Sequence, residues 1–597
     1  MKTILDSLSV MAGHWMLLLG ILLLVICSQS LLNCILKGIF GSRLHAEEYF
    51  AFSIAGWMLP ASLFSLLWYA EGANLPPQFW IFILILLTIV SKLAETRYVK
   101  TPLSKGTFLS LVLLTILFVI LRLAFVSKAI LPMYFDSAQH YLLTRNVLAT
   151  SEAINAATVF NGSLTHYYHL GFHFLTAFLT YITRAEITAA MLVLGQVILA
   201  IMPLPVFFII SHATQSRSAA TFALILAAFG WYMPAHAVDW GKYPAVASIA
   251  LIPFVLSLAY LSIQNKSLLS RGKYWSLNAI LVSGMLVSVF LHSRALVVFG
   301  ILALTWVITS AWQKLPRLAQ FLVLGVVIAA LISAISFIQT EGILGPLFDP
   351  YGNKGLAITA AVLFLSIFTY KAYPRLVFSC IVSTLLFLAS LFIPVPNLLA
   401  GHVNMTLLDR PFVEIILYFP LTLLGGFGLA ALEQMLHGIK SQLLPGRYIA
   451  VPFIALAVIN ALFSYDLYPS DCCDIAGIDD LAAIEWMDRN LPMEARVLIA
   501  STELRVLPTD GYQGSAGGDA GAWITPLTQR TSLSMPFNTD FSQQHTLDTL
   551  CEMQVDYVYV GGTGWAFNDS GMPVQPDAYR ILLGLPHAKL YEVSGCD

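Results

Sequence analysis

Charge is what this chain has least of. Only 11% of its 597 residues are Asp, Glu, Lys or Arg, where a soluble globular domain carries about 25%. So few charges cannot cover the water-facing surface of a soluble protein this long. Hydrophobic residues make up 58% of the chain, and the mean hydropathy is +0.78. The class is a polytopic α-helical membrane protein. A basic excess is also missing: the formal net charge is -2, which argues against nucleic acid as a partner. The N-terminal stretch lacks a cleavable signal pattern, and the first apolar run, residues 12–36, is long enough to stay as a span. No short-period repeat, low-complexity tract or heptad run is present. The glycine-rich stretches 511–521 and 561–571 lack the dinucleotide fingerprint, so no nucleotide site is assigned to them.

What is present is a series of apolar runs. They fall near residues 12–36, 49–70, 78–96, 106–127, 186–211, 217–236, 243–263, 275–292, 295–312, 317–338, 356–372, 374–393, 411–436 and 447–465. That makes about 14 transmembrane helices at roughly 20 residues each. The run 170–183 is shorter and reads as a tilted or partial span. Lys and Arg in short loops set the orientation. Lys92, Arg97, Lys100 and Lys105 belong on the cytoplasmic side, and so do Lys266, Arg271, Lys273, Lys314, Arg317, Lys371, Arg375, Lys440 and Arg447. The loops 128–168, 231–243, 340–355 and 394–410 and everything after residue 465 then lie outside. The counts from the two ends agree only if 170–183 does not cross completely. The expected location is the plasma membrane with an extracytoplasmic C-terminal domain.

Three regions follow. Residues 1–105 are N-terminal transmembrane helices, 106–465 a transmembrane core, and 466–597 a soluble α/β domain. In that last region 478–490 and 543–553 read as helices, 496–500, 555–560 and 588–593 as strands, and 577–583 as a further helix. Four of the seven cysteines, Cys472, Cys473, Cys551 and Cys596, fall there and suit disulfides in an oxidising compartment. Adjacent cysteines rarely bond each other, so Cys472 and Cys473 are each expected to pair with Cys551 or Cys596. Four free thiols are the alternative.

Candidate chemistry sits in the outside loops. Asp136 can serve as a general base toward an acceptor hydroxyl, as a ligand for a divalent metal, or merely as the cap of a helix spanning 137–150. His140 is one turn further on. His166, His169 and His173 follow, as polar lining of a cleft or as imidazoles satisfied by backbone; His169 and His173 are spaced to share a metal. Asp239 and Lys242 form an acidic and basic pair, read either as acceptor-orienting acid and phosphate-holding lysine or as a salt-bridged loop. His292 and Arg294 occupy a tight joint between two apolar runs. An arginine so close to hydrocarbon needs a partner, such as a lipid phosphate, or snorkels to headgroups. Arg410 permits the same two readings, and Asp409 can simply neutralise it.

In order along the chain, these features resemble the GT-C class of integral-membrane glycosyltransferases, which use polyprenyl-phosphate-linked sugars. The resemblance rests on Asp136 with His140 after an early span, the entry Tyr168-His169-Leu170-Gly171-Phe172-His173, the joint His292-Ser293-Arg294, and a C-terminal α/β domain with Trp486–Pro492 and the strand 557–560. It covers about residues 106–597. It implies a GT-C-like core and inverting hexosyl or pentosyl transfer on the outer face. The donor would be a lipid-linked sugar and the acceptor a glycan, lipid or protein. Carried over, Asp136 is the base, Asp239 a second acidic residue, and Arg294 or Arg410 a phosphate clamp. The alternative is a non-catalytic GT-C-like membrane subunit whose C-terminal domain binds partners.

Overall fold

The computed structural model describes residues 2–70, 75–98, 101–149, 169–340, 345–353, 355–395, 406–439, 447–503 and 514–596. Among the described residues, ten helices are long and apolar enough to cross a membrane. They are Trp15–Phe40, Ala46–Ala70, Pro77–Glu95, Lys105–Ser127, Ile187–Thr214, Tyr243–Asn265, Arg271–Leu291, Ala295–Trp312, Arg317–Ile338 and Arg410–Leu436. Four shorter apolar helices accompany them: Arg217–Phe229, Leu356–Ala372, Pro374–Ser390 and Tyr448–Ser464. Two long runs are jointed: Gly56-Trp57 interrupts one and Met202-Pro203 the other. Pro203 is the N-cap of the second half of its run, and Pro205 lies in the first turn, where its missing N–H costs nothing.

Successive helix ends alternate between two poles. At one pole Lys37 meets Glu95 at 2.8 Å, Arg217 meets the buried Glu47 at 2.7 Å, and Ser216 and Ser218 each donate to Glu433 at 2.5 Å. Charges left at helix ends are thus paired rather than carried into the apolar layer. The opposite pole gathers Tyr134–Leu148, residues 230–243, the joint 292–294, residues 406–410 and the C-terminal domain. The Gly171–Thr183 helix begins at this pole, with Gly171 against the Phe290 carbonyl and the Leu291 amide. It also ends there, since the Tyr181 hydroxyl donates to the Leu75 carbonyl at 2.6 Å. It therefore does not run from pole to pole.

Among the described residues, the C-terminal domain is a six-stranded sheet with helices. Its strands are β1 (Arg496–Glu503), β2 (Ser515–Gly517), β3 (Thr531–Pro536), β4 (Tyr557–Val560), β5 (Tyr579–Gly584) and β6 (Lys589–Val593). β1 is central: β3 and β4 run parallel to it, and β6 and then β5 continue antiparallel from β4. The Ile478–Asn490 helix has the expected bounds. Of residues 577–583, read as a helix, the first two form a turn and the rest belong to β5. The stretch Tyr579-Arg-Ile-Leu-Leu is short and ambiguous in period, and pairing with β6 decides it. β2 lies inside the stretch read as a glycine-rich loop, whose residues 511–513 are outside the described ones.

The disulfide pairing also differs from expectation. Cys472 bonds Cys473, and Cys551 bonds Cys596. The sheet explains the second: the helix Gln544–Glu552 and the end of β6 lie side by side, and both cysteines sit there. Cys472 and Cys473 lie instead in the segment joining the last apolar helix to the domain, which leaves them only each other.

The domain is docked on the bundle through the Tyr134–Leu148 helix. Ala138 is buried with Ile475, Ile484, Trp523 and Ile524 of the domain. Tyr141 meets Trp523 edge-on at 5.8 Å, and Arg145 donates to the Pro526 carbonyl at 2.8 Å. Residues 138, 141 and 145 form one helical face, while 136, 140, 143 and 147 form another.

Candidate active site

The Tyr134–Leu148 helix aims Asp136 and His140 away from the domain and into the bundle pole. Asp136 lies in the first turn, where a negative charge suits the helix dipole. Tyr134 has φ 66°, a left-handed conformation seldom adopted by bulky residues. Its N–H donates to the Cys473 carbonyl at 3.1 Å, which ties this turn to the linking segment.

Lys242 is the partner of Asp136: its ammonium is hydrogen-bonded to the carboxylate. The turn before it makes this possible. Gly241 has φ +66°, and a Cβ there would lie 2.6 Å from the Ser137 Oγ and 2.8 Å from the Ser137 amide nitrogen. Only glycine lets the 231–243 loop come so close to the helix. Burial opposes the charge on Lys242, but Asp136 and then Asp409 outweigh it and raise its pKa. Lys242 thus stands between two carboxylates.

The second carboxylate, Asp409, does two jobs. One oxygen accepts the Phe412 amide at 3.0 Å and caps the Arg410–Ile416 helix; the other meets Arg294 at 2.5 Å. Arg410, expected beside Asp409, instead meets Glu414 one turn on at 3.3 Å and lies over the Trp240 ring at 5.8 Å. The result is an alternating row of charges: Asp136, Lys242, Asp409, Arg294. Arg410 contributes a field at Tyr134 together with Asp136 and Lys242, so it belongs to the same cluster.

Imidazoles line this row. His140 Nδ1 is 3.0 Å from His173 Nε2, and His169 lies over His292 with ring centroids 3.9 Å apart. The Gly171 contact with Phe290 and Leu291 brings these two rings together. Burial, reinforced by Lys242, pushes His140 down to about 3. Burial also drives His169 and His292 well below the usual histidine range, helped for His169 by His292 and for His292 by Arg294. At neutral pH these rings are uncharged donors and acceptors. His166 lies outside the described residues.

Asp239 stands apart from Asp136. It is hydrogen-bonded to His236 at 3.0 Å and accepts the Ser470 amide at 2.8 Å. It faces a small cleft with Arg122, Tyr232, Asp466 and Tyr468. The pairing of Asp239 with Lys242 is therefore not what the loop forms. In this arrangement one oxygen of the Asp136 carboxylate is held by the Lys242 ammonium.

Residues 80–394 match a family of unknown function, DUF6541. The chain belongs to this family. No curated protein matches it. The DUF6541 region carries Asp136, His140, His169, His173, Asp239, Lys242, His292 and Arg294, but ends before Asp409 and Arg410. The cluster is thus completed by residues beyond the matched region. Sequence reasoning missed Glu414 and His236 as the partners of Arg410 and Asp239. The signal for the first was present, since Arg410 and Glu414 are four residues apart on one helix.

Proposed function

We propose that this protein is a GT-C-type glycosyltransferase, with fourteen spans, that moves a sugar from a polyprenyl-phosphate donor to an acceptor on the outer face of the plasma membrane. The observation that carries the reading is the convergence of Asp136 with Lys242, Arg294 and Arg410 at one pole of an apolar bundle. Such a pole puts a carboxylate and several cations where a lipid phosphate reaches them without leaving the bilayer. The donor's phosphate exchanges for Asp409 on Arg294, a fork suited to phosphate oxygens. Lys242 swings from Asp136 toward the same phosphate and frees the carboxylate. Asp136 then takes the proton of the acceptor hydroxyl as its oxygen attacks the anomeric carbon. The bond from that carbon to the phosphate oxygen breaks, and the lipid phosphate leaves with the electron pair, stabilised by Arg294 and Lys242. Attack opposite the leaving group inverts the centre. The neutral imidazoles of His140, His169, His173 and His292 supply hydrogen bonds to sugar hydroxyls.

The docked C-terminal domain, by resting on the reverse face of the Asp136 helix, supports the acceptor side of the cleft. A test is transfer from synthetic polyprenyl-phosphate sugars by the purified protein in lipid nanodiscs. Asp136→Asn abolishes transfer while the protein stays folded; undiminished turnover in that variant rules out the base.

A second reading is favoured by the ion pairs themselves. Asp136 and Arg294 are each neutralised within the chain, as in a membrane subunit that has no donor to bind. That subunit would use the C-terminal domain to hold partners, and the purified protein would show no affinity for lipid phosphates.

A further inference from the structure

We infer that the Cys472–Cys473 bridge is a thiol–disulfide exchange centre: it reacts with an external dithiol, uses His236 to carry the proton, and its state sets the turn that bears Asp136. This centre does not depend on the glycosyltransferase reading. The bridge is a covalent bond between neighbours in the chain, whereas Cys551 and Cys596 are 45 residues apart. A disulfide stabilises a fold mainly by closing a loop in the unfolded chain, and a bond between neighbours closes almost none. Stability therefore accounts for the second bridge and not for the first.

Exposure tells the two sulfurs apart. Cys472 is exposed and Cys473 is buried, so an incoming thiolate meets Cys472 and Cys473 is the sulfur that leaves. An imidazole stands beside both: a ring nitrogen of His236 and the two sulfurs lie within 4.8 Å of one another. His236 is buried, and its Nδ1 is 3.0 Å from a carboxylate oxygen of Asp239. An ionised carboxylate only accepts, so Nδ1 carries the hydrogen and Nε2 is left to take a proton. The thiolate, not the thiol, attacks a disulfide, and an adjacent base generates it. The base and the bridge are also tied together. Asp239 accepts the Ser470 amide at 2.8 Å, and the Ser470 carbonyl accepts the Cys473 amide at 3.1 Å.

His236 takes the proton from one thiol of the dithiol. The thiolate attacks the Cys472 sulfur, a mixed disulfide forms there, and the Cys472–Cys473 bond breaks. Cys473 leaves with the electron pair and receives the proton from His236. The second thiol of the dithiol then gives up its proton and attacks its own partner sulfur in the mixed disulfide. Cys472 leaves and takes that proton. The dithiol ends as a disulfide, oxidised by two electrons, and both cysteines end as thiols. The change reaches the candidate active site through one hydrogen bond. The Cys473 carbonyl accepts the Tyr134 amide at 3.1 Å, and Tyr134 is held at φ 66° two residues before Asp136. The closed bridge restricts the backbone of both cysteines and so fixes that carbonyl. Reduction frees it, and the Tyr134 N–H loses a fixed acceptor.

The test uses the unaltered full-length protein in a non-denaturing detergent, with reduced and oxidised dithiothreitol at graded ratios. Free thiols are alkylated, and peptide mass spectrometry reads each cysteine separately, so that Cys27, Cys34 and Cys380 do not interfere. Cys472 and Cys473 become alkylated together and reversibly while the protein stays folded. Reduction speeds hydrogen exchange at the Tyr134 amide by about tenfold or more. His236→Gln slows both reduction and reoxidation of this bridge by at least about tenfold. It leaves the midpoint ratio and the reduction rate of Cys551–Cys596 where they were, as loss of a proton carrier does and loss of structure does not. A Cys472–Cys473 bond that does not yield to dithiothreitol in the folded protein overturns the proposal. So does an undiminished rate in His236→Gln. Tyr134 exchange that is equal in the two redox states overturns the link to the Asp136 turn.

Discussion

Replacing Lys242 with methionine isolates the physics of the charge row. Methionine keeps the length and apolar stem of lysine and removes the cation. Asp136 and Lys242 are each only about a fifth exposed, at 20% and 22%. Removing one partner of a fully buried pair costs about 3–5 kcal/mol, because the other charge is stranded away from water. Partial exposure brings the expected loss here to about 2–4 kcal/mol. Asp136→Asn in the same background removes the stranded charge. The double variant should therefore regain most of the loss, with a coupling of about 1–3 kcal/mol. Asp409 is not stranded in either variant, because Arg294 still holds it. The assay is equilibrium unfolding of the four proteins in mixed micelles. Strictly additive losses would refute the pairing and, with it, the proximity of the 231–243 loop to the Asp136 helix.

Three other outcomes follow from the geometry. Gly241→Ala combines a left-handed backbone with a Cβ 2.8 Å from the Ser137 nitrogen, and should cost about 1–3 kcal/mol or more in the same unfolding assay. Tyr141→Ala with Arg145→Ala removes the Trp523 and Pro526 contacts, and should raise the rate at which protease cuts between the bundle and the domain without unfolding either. Asp519 is fully buried, and burial, opposed by the Gly521 and Gly561 amides, raises its pKa from 3.8 to about 7. The folded state therefore holds this proton more tightly than the unfolded chain. Its contribution is fully present at low pH and is lost as pH rises from about 4 to about 7, at no more than about 1.4 kcal/mol per pH unit. Asp519→Asn should flatten that part of the pH profile of thermal unfolding relative to the unaltered protein.

The membrane class and most helix positions were legible because apolar length is a strong local signal. The same signal ran on to residue 236 where the helix ends at Phe229, since Gly230, Trp231 and Met233 are as apolar as a span but form a packed turn. Asp136, His140, Lys242 and Arg294 were identifiable as polar groups at the ends of apolar runs. Which cation serves which anion was not identifiable. Asp409 follows Leu408 and precedes Arg410 in the chain, yet its partner is 115 residues away, because the helix turn that makes it a cap also rotates Arg410 toward Glu414. Asp239 was misread for the same reason. It is three residues from Lys242, but the intervening Gly241 turn sends the two side chains to different neighbours. The vicinal bridge was missed because the rarity of adjacent pairing outweighed the isolation of 472 and 473 from the sheet.

The most direct measurement is native mass spectrometry of the purified protein with a short-chain polyprenyl phosphate. Saturable binding of one lipid is expected, displaced by a polyprenyl-phosphate sugar and weakened at least tenfold by Arg294→Gln, a loss of about 1.4 kcal/mol or more. Absence of binding, or binding equally tight in Arg294→Gln and matched by the same lipid without its phosphate, would contradict it.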